Sequence, residues 1–113
     1  MSEEKNTWKG INKKVELSGL DFYIICADNE DGSLHRITII GPRTNADFGA
    51  FAEGISELVN LCLLYSIPLV EITRRLKYIK GETAGLTNSQ TIHTASSVID
   101  FVGRFLEERY ASR

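Results

Sequence analysis

Two histidines, His35 and His93, are the side chains best placed by intrinsic pKa to move protons near neutral pH, and the rest of this 113-residue sequence gives them little to work with. His35 falls in a run with strand character and His93 where a helix is expected to begin. No Ser, Cys or carboxylate spacing marks either as part of a triad. The acidic pairs Glu3-Glu4 and Glu107-Glu108 read as solvated surface charge. Asp28, Glu30 and Asp31 lack the full spacing of a calcium loop and more simply build a bend. Cys26 and Cys62 lie inside apolar runs with no CxxC or Cys/His spacing, so buried free thiols are expected, with no metal site and no cofactor. Phosphate chemistry leaves a better trace. Arg43, Thr44 and Asn45 sit where a helix should start, and the free amides and dipole of a helix N-terminus favour an anion. The same three residues also read as an ordinary capped helix with an exposed arginine. Thr83, Thr87, Asn88, Ser89, Gln90 and Thr91 offer neutral hydrogen-bonding groups just after the cations Lys77 and Lys80. That mixture suits a nucleotide and equally suits a solvated linker. The expected ligand-binding set is therefore Arg43, Thr44, Asn45, Lys77, Lys80, Thr83, Thr87, Asn88, Ser89 and Thr91, with no catalytic residue.

The chain that must position these groups is long enough for one ordinary domain. Its apolar and charged fractions, 42% and 25%, are those of an average soluble globular protein. A formal charge of -2 argues against a generic nucleic-acid binder, which needs clustered cations to neutralise phosphates. The N-terminal stretch MSEEKNTWKG has no apolar signal core, and no run approaches the roughly 18 apolar residues of a membrane span. A cytoplasmic protein is expected.

Residues 1–12 show little periodicity and are expected to form a flexible arm, leaving 13–113 as the single domain. Lys13 to Ser18 alternates charged and apolar residues as a short strand would. Leu20 to Ala27 and Leu34 to Ile40 flank the turn residues Asn29-Glu30-Asp31-Gly32, a hairpin signature. Within the first of these runs both faces are apolar, so both need a cover: helices on one side, and on the other either the N-terminal arm or a second subunit. Gly41-Pro42 ends the hairpin. Phe48, Phe51, Ile55, Leu58, Val59, Cys62 and Tyr65 then recur at helical spacing and are expected to face the core. Gly49 and Gly54 interrupt that helix, and close approach to the sheet or a neighbouring helix would explain them. After Ser66-Ile67-Pro68, the stripe Leu69, Ile72, Leu76 and Ile79 predicts a second helix stopped by Gly81. Glu82 to Thr91 reads as a loop, and a third helix is expected from about Ile92 to Arg109. The predicted class is α+β: a short antiparallel sheet, made of a hairpin and one N-terminal strand, packed against three helices.

The run from Ile55 through Leu64, then Ser66-Ile67-Pro68-Leu69, Arg75-Leu76, Lys80, Glu82, Gly85 and Thr87, and finally Ala95, Ser97-Val98-Ile99-Asp100-Phe101, Arg104 and Leu106, resembles the TSCPD domain. That domain is found at the C-terminal end of vitamin B12-dependent ribonucleotide reductases and in small separate proteins. The likeness covers about Asp21 to Tyr110. It departs from the family pattern at Lys80, where arginine is expected, at Thr83, where proline is common, and at Thr94 to Asp100, which lacks the cysteine-proline pair behind the name. Chemistry tied to that cysteine is not carried over. The resemblance implies a non-catalytic accessory or nucleotide-binding module linked to deoxynucleotide metabolism, whose partner is a nucleotide-derived small molecule or a reductase subunit, and the strand that is apolar on both faces makes a homo-oligomer the expected state. The alternative is a small oligomeric protein, phage-encoded, that sequesters a cyclic nucleotide signal.

Overall fold

The computed structural model describes residues 8–111. Three antiparallel strands, β1 (Gly10–Leu17), β2 (Leu20–Asp28) and β3 (Leu34–Ile40), form one sheet in the order β1-β2-β3. A two-residue turn joins the first pair, with Ser18 and Gly19 both at positive φ (49° and 89°), the twist that tight hairpins prefer. Leu17 then lies opposite Leu20 and Phe22 opposite Val15. This register puts Val15, Leu17, Phe22, Ile24, Cys26, Ile37 and Ile39 on one buried face. On the other face Tyr23 is exposed, while Ile25 and Ala27 are half-buried. The first strand begins at Gly10 rather than Lys13, because Gly10, Ile11 and Asn12 pair with Ala27, Cys26 and Ile25. The arm expected over 1–12 falls otherwise on residues 1–7, which lie outside the described residues, apart from Trp8 and Lys9.

Helix α1 (Ala46–Leu64) lies along β3, turned so that only part of its expected apolar face, Phe48, Ile55, Val59 and Cys62, packs on the core. It meets the sheet through Ala52, Ser56 and Val59, while Phe51, Leu58 and Tyr65 point to solvent. The reason is the polar backbone of β3. Ser56 Oγ accepts from Ile39 N (2.9 Å), Asn60 Oδ1 accepts from Ile37 N (2.8 Å), and Asn60 Nδ2 donates to Ile37 O (2.9 Å). A buried donor or acceptor left unpaired costs about 1–3 kcal/mol, so turning Ser56 and Asn60 inward satisfies three such groups at once. Gly49 and Gly54 do not mark a close approach within the chain. A Cβ at either would meet nothing within 4 Å.

Ser66 adopts the left-handed backbone (φ 61°) that ends α1, and its N–H bonds Leu63 O. The second helix, α2 (Leu69–Leu76), stops before Ile79, because the carboxylate of Asp100 takes the N–H of Tyr78 (2.6 Å) and Tyr78 turns to φ 69°. The loop after it contains the short pair β4 (Gly85–Leu86) and β5 (Thr94–Ala95). The third helix, α3 (Val98–Leu106), starts later than Ile92, at the cap Ser97, whose Oγ accepts from Asp100 N (2.9 Å). It continues into a π-helical turn over Glu107–Ala111. Phe101 of α3 meets Phe22 edge-on with centroids 6.2 Å apart, joining helix to sheet. Tyr110 and Arg109 both donate to the Asp28 carboxylate (2.5 and 3.1 Å), tying the last turn to the end of β2. Three helices against an antiparallel sheet make the predicted α+β class. No helix among the described residues is long and apolar enough to cross a membrane.

Candidate functional site

A largely apolar hollow of ≈ 510 Å³ lies between α1, the segment after α2, and the start of α3, beside two of the sequence-predicted residues. Phe48, Ala52, Ile55, Val98 and Val102 wall it, and Lys80, Glu82 and Thr83 stand at its edge. Its shape depends on how Ile79 to Thr83 is held. Ser97 Oγ donates to Ile79 O (2.6 Å) and Gly81 N donates to Ser96 O (2.8 Å). Gly81 suits this close approach, since a Cβ there would stand 3.1 Å from Ser97 Cβ and crowd it.

Asp100 is the hub beneath that segment. Fully buried, it accepts from Tyr78 N, from Ser96 N (2.8 Å), and from Arg104 Nε and Nη2 (3.2 and 3.0 Å). Burial pushes its carboxyl up, but the two backbone amides and the Arg104 guanidinium more than offset this and hold it below the ordinary carboxylate value. Arg104 also donates to Thr94 O, so one carboxylate–guanidinium pair fixes β5, α3 and the end of α2 together. Asp100 and Ser97 were not among the predicted site residues. The spacing Ser97-x-x-Asp100 is a helix-start signal that could have placed them.

The predicted residues divide among separate places. Lys80 and Thr83 border the apolar hollow. Arg43 and Asn45 line another, of ≈ 420 Å³, on the opposite flank of α1 against β3. Asn45 Oδ1 accepts from Phe48 N (3.0 Å), which is the ordinary cap, and Thr44 is exposed in the same turn. Lys77 bonds Glu107 at 2.8 Å, and that hydrogen bond raises its pKa. Asn88, Ser89 and Thr91 line a third hollow of ≈ 570 Å³ with Lys13 and Arg109.

Much of the loop's polarity serves the loop itself. Thr87 Oγ1 donates to Ile92 O and accepts from Ser89 N (3.0 Å), and Ser89 Oγ accepts from Ile92 N (3.0 Å) and Thr91 N (3.2 Å). Asn88 imitates a strand residue along β1. Its Oδ1 accepts from Glu16 N (3.0 Å), its Nδ2 donates to Lys14 O (3.1 Å), and its N–H donates to Glu16 O. Ser18 N donates to Leu86 O beside it. The histidines stand apart: His35 stacks on Trp8 with ring centroids 4.1 Å apart, and His93 Nε2 meets Gln90 O at 2.7 Å. Among the described residues no group of His, Cys, Asp and Glu is arranged to hold a metal ion.

Three helices packed on a three-stranded antiparallel sheet, with open apolar hollows edged by a few polar groups, define a small α+β domain. More particularly, the chain belongs to the TSCPD domain family, whose description matches residues 2–110. It is similar to vitamin B12-dependent ribonucleotide reductases: 30% identical over 106 residues to that of Bradyrhizobium diazoefficiens, 28% over 109 residues to that of Agrobacterium fabrum, and 22% over 101 residues to that of Rhodopirellula baltica. These matches cover 93%, 96% and 89% of this chain but only 8%, 9% and 10% of the reductases. No solved structure gives a significant match.

Proposed function

We propose that this chain is a non-catalytic, nucleotide-binding accessory module that acts in the cytoplasm in deoxynucleotide metabolism, either alone or against a reductase subunit. The observation that carries the reading is the ≈ 510 Å³ hollow, which has the size and apolar lining of a small-molecule site. A base would lie against Phe48, Ile55 and Val102. Lys80 would meet phosphate at the edge, with Thr83 as a neutral partner. Arg43, with the turn at Thr44 and Asn45, would serve a second phosphate on the other flank of α1. Asn88, Ser89 and Thr91 would take part through the third hollow.

Calorimetry against nucleoside mono-, di- and triphosphates and cyclic dinucleotides tests this reading. Binding should weaken about tenfold or more in Lys80→Ala, the loss of one charge-assisted contact. No binding by any nucleotide, together with no capture of a reductase subunit, would end it. A second reading, sequestration of a cyclic nucleotide by a small oligomer, draws support from the apolar outer face of α1. Mass spectrometry after heating should then release the ligand unaltered.

A further inference from the structure

The outer face of α1 is wrong for solvent. Opposite the sheet, where a surface helix normally carries charge, it presents Phe51, Leu58, Leu61, Leu64 and Tyr65 at 75%, 61%, 50%, 75% and 72% exposure, continued by Ile67 at 41%. At roughly 200 Å² for each fully exposed residue, this is roughly 750 Å² of apolar surface. The largest patch on an ordinary monomer is about 300–600 Å², whereas each partner in a stable complex buries about 800 Å².

The arrangement of the stripe suggests what covers it. Leu58 lies midway between two aromatics, Phe51 and Tyr65, and about one turn to either side of it are Gly54 and Leu61. Such a stripe is close to its own reverse. If a second α1 crossed it antiparallel about Leu58, Phe51 would meet the partner's Tyr65, and the partner's Leu61 would enter the space over Gly54. Isologous interfaces have this self-complementarity. Gly54 otherwise lacks an explanation: it weakens the helix by about 1 kcal/mol relative to alanine, and nothing in its own chain approaches where a Cβ would be.

We infer that α1 is a homodimer interface in which two copies cross antiparallel at Gly54 and Leu58. Because Phe51 also lines the apolar hollow, the partner's Tyr65 would stand near that opening. The dimer does not depend on the ligand reading.

Sedimentation equilibrium supplies the test. The unmodified chain should be a dimer at about 100 µM, a concentration at which even a weak micromolar interface of this size is filled. Leu58→Glu opposes two like charges on the symmetry axis and should weaken association about 100-fold or more. Gly54→Leu should weaken it about tenfold or more, while Leu86→Glu, on exposed β4, should leave it unchanged. In a Cys62→Ser background, Leu58→Cys should give a disulfide-linked dimer on mild oxidation. This cross-link is decisive should a charge or bulk variant fold poorly. A monomer at about 100 µM overturns the inference, and so does a dimer that neither responds to Leu58→Glu nor cross-links through position 58.

Discussion

Replacing Asp100 by asparagine should show how far one buried carboxylate holds the edge of the hollow in place. The amide keeps nearly the same volume and can still present an oxygen to Tyr78 N, now 2.6 Å from Asp100 Oδ1. Its NH₂ group would then lie where Oδ2 accepts from Ser96 N and from Arg104 Nη2, placing donor against donor. Removing one partner of a buried ion pair costs about 3–5 kcal/mol. Arg104 is 27% exposed and can recover some hydration, which favours the lower end, about 3 kcal/mol. For a domain of this size that lowers Tm by about 15 °C, read by differential scanning calorimetry. A pH series supplies a second signature. The folded Asp100 carboxyl lies below its unfolded value of about 4, so its contribution is fully present above that value and is lost as pH falls through the folded one. Wild type should therefore converge on Asp100→Asn below about pH 4. A Tm within about 4 °C of wild type at pH 7, or a gap that does not narrow in acid, would refute the reasoning.

Two glycines should respond in opposite directions in thermal melts. Gly49→Ala gains about 0.5–1 kcal/mol, because the helix benefits and the new Cβ meets nothing within 4 Å. Gly103→Ala loses about 1–3 kcal/mol, since its Cβ would stand 2.8 Å from Leu76 Cβ and 3.0 Å from Lys77 N, where α3 crosses α2. Asn60→Ala strands both polar groups of Ile37 and should cost about 2 kcal/mol in urea unfolding with an unchanged m-value. With a thiol reagent at pH 8, Cys62, half-buried, should react in the native protein while Cys26 reacts only after unfolding. Cys26 is buried and, chiefly for that reason, its pKa is pushed up to about 11.

The sheet was legible in the sequence because strand signals there are local. The hairpin turn, the alternation in Leu20 to Ala27 and the Gly41-Pro42 stop all act within a few residues, and the strands fall where they indicate. The helices were legible in existence, and α2 and α3 in orientation as well, since Leu69, Ile72 and Leu76, then Val102, Phe105 and Leu106, pack inward. On α1 the apolar count places Phe48, Ile55, Val59 and Cys62 correctly but adds Phe51, Leu58 and Tyr65, because the packing also turns Ser56 and Asn60 inward to answer a hydrogen-bonding need of a strand elsewhere in the sequence. The ends of α2 and α3 were misplaced for a similar reason. Asp100 reaches across to Tyr78, a tertiary contact that outweighs the helical spacing of Ile79. Of the candidate site residues, Lys80 and Thr83 lie together at one hollow. Residue chemistry alone could not foresee that Thr87, Asn88 and Ser89 would direct hydrogen bonds into their own fold.

Asn60 and Asn88 sit on opposite margins of the sheet and do the same job, each taking up the main-chain groups of an outer strand with a side-chain amide. Open margins are what let one copy of a β protein template the next. With both closed from within, the sheet offers no place for an added strand along Ile37 or Glu16, neither a linker peptide nor a neighbouring molecule. A strand from another molecule could add at either place only by first displacing an asparagine.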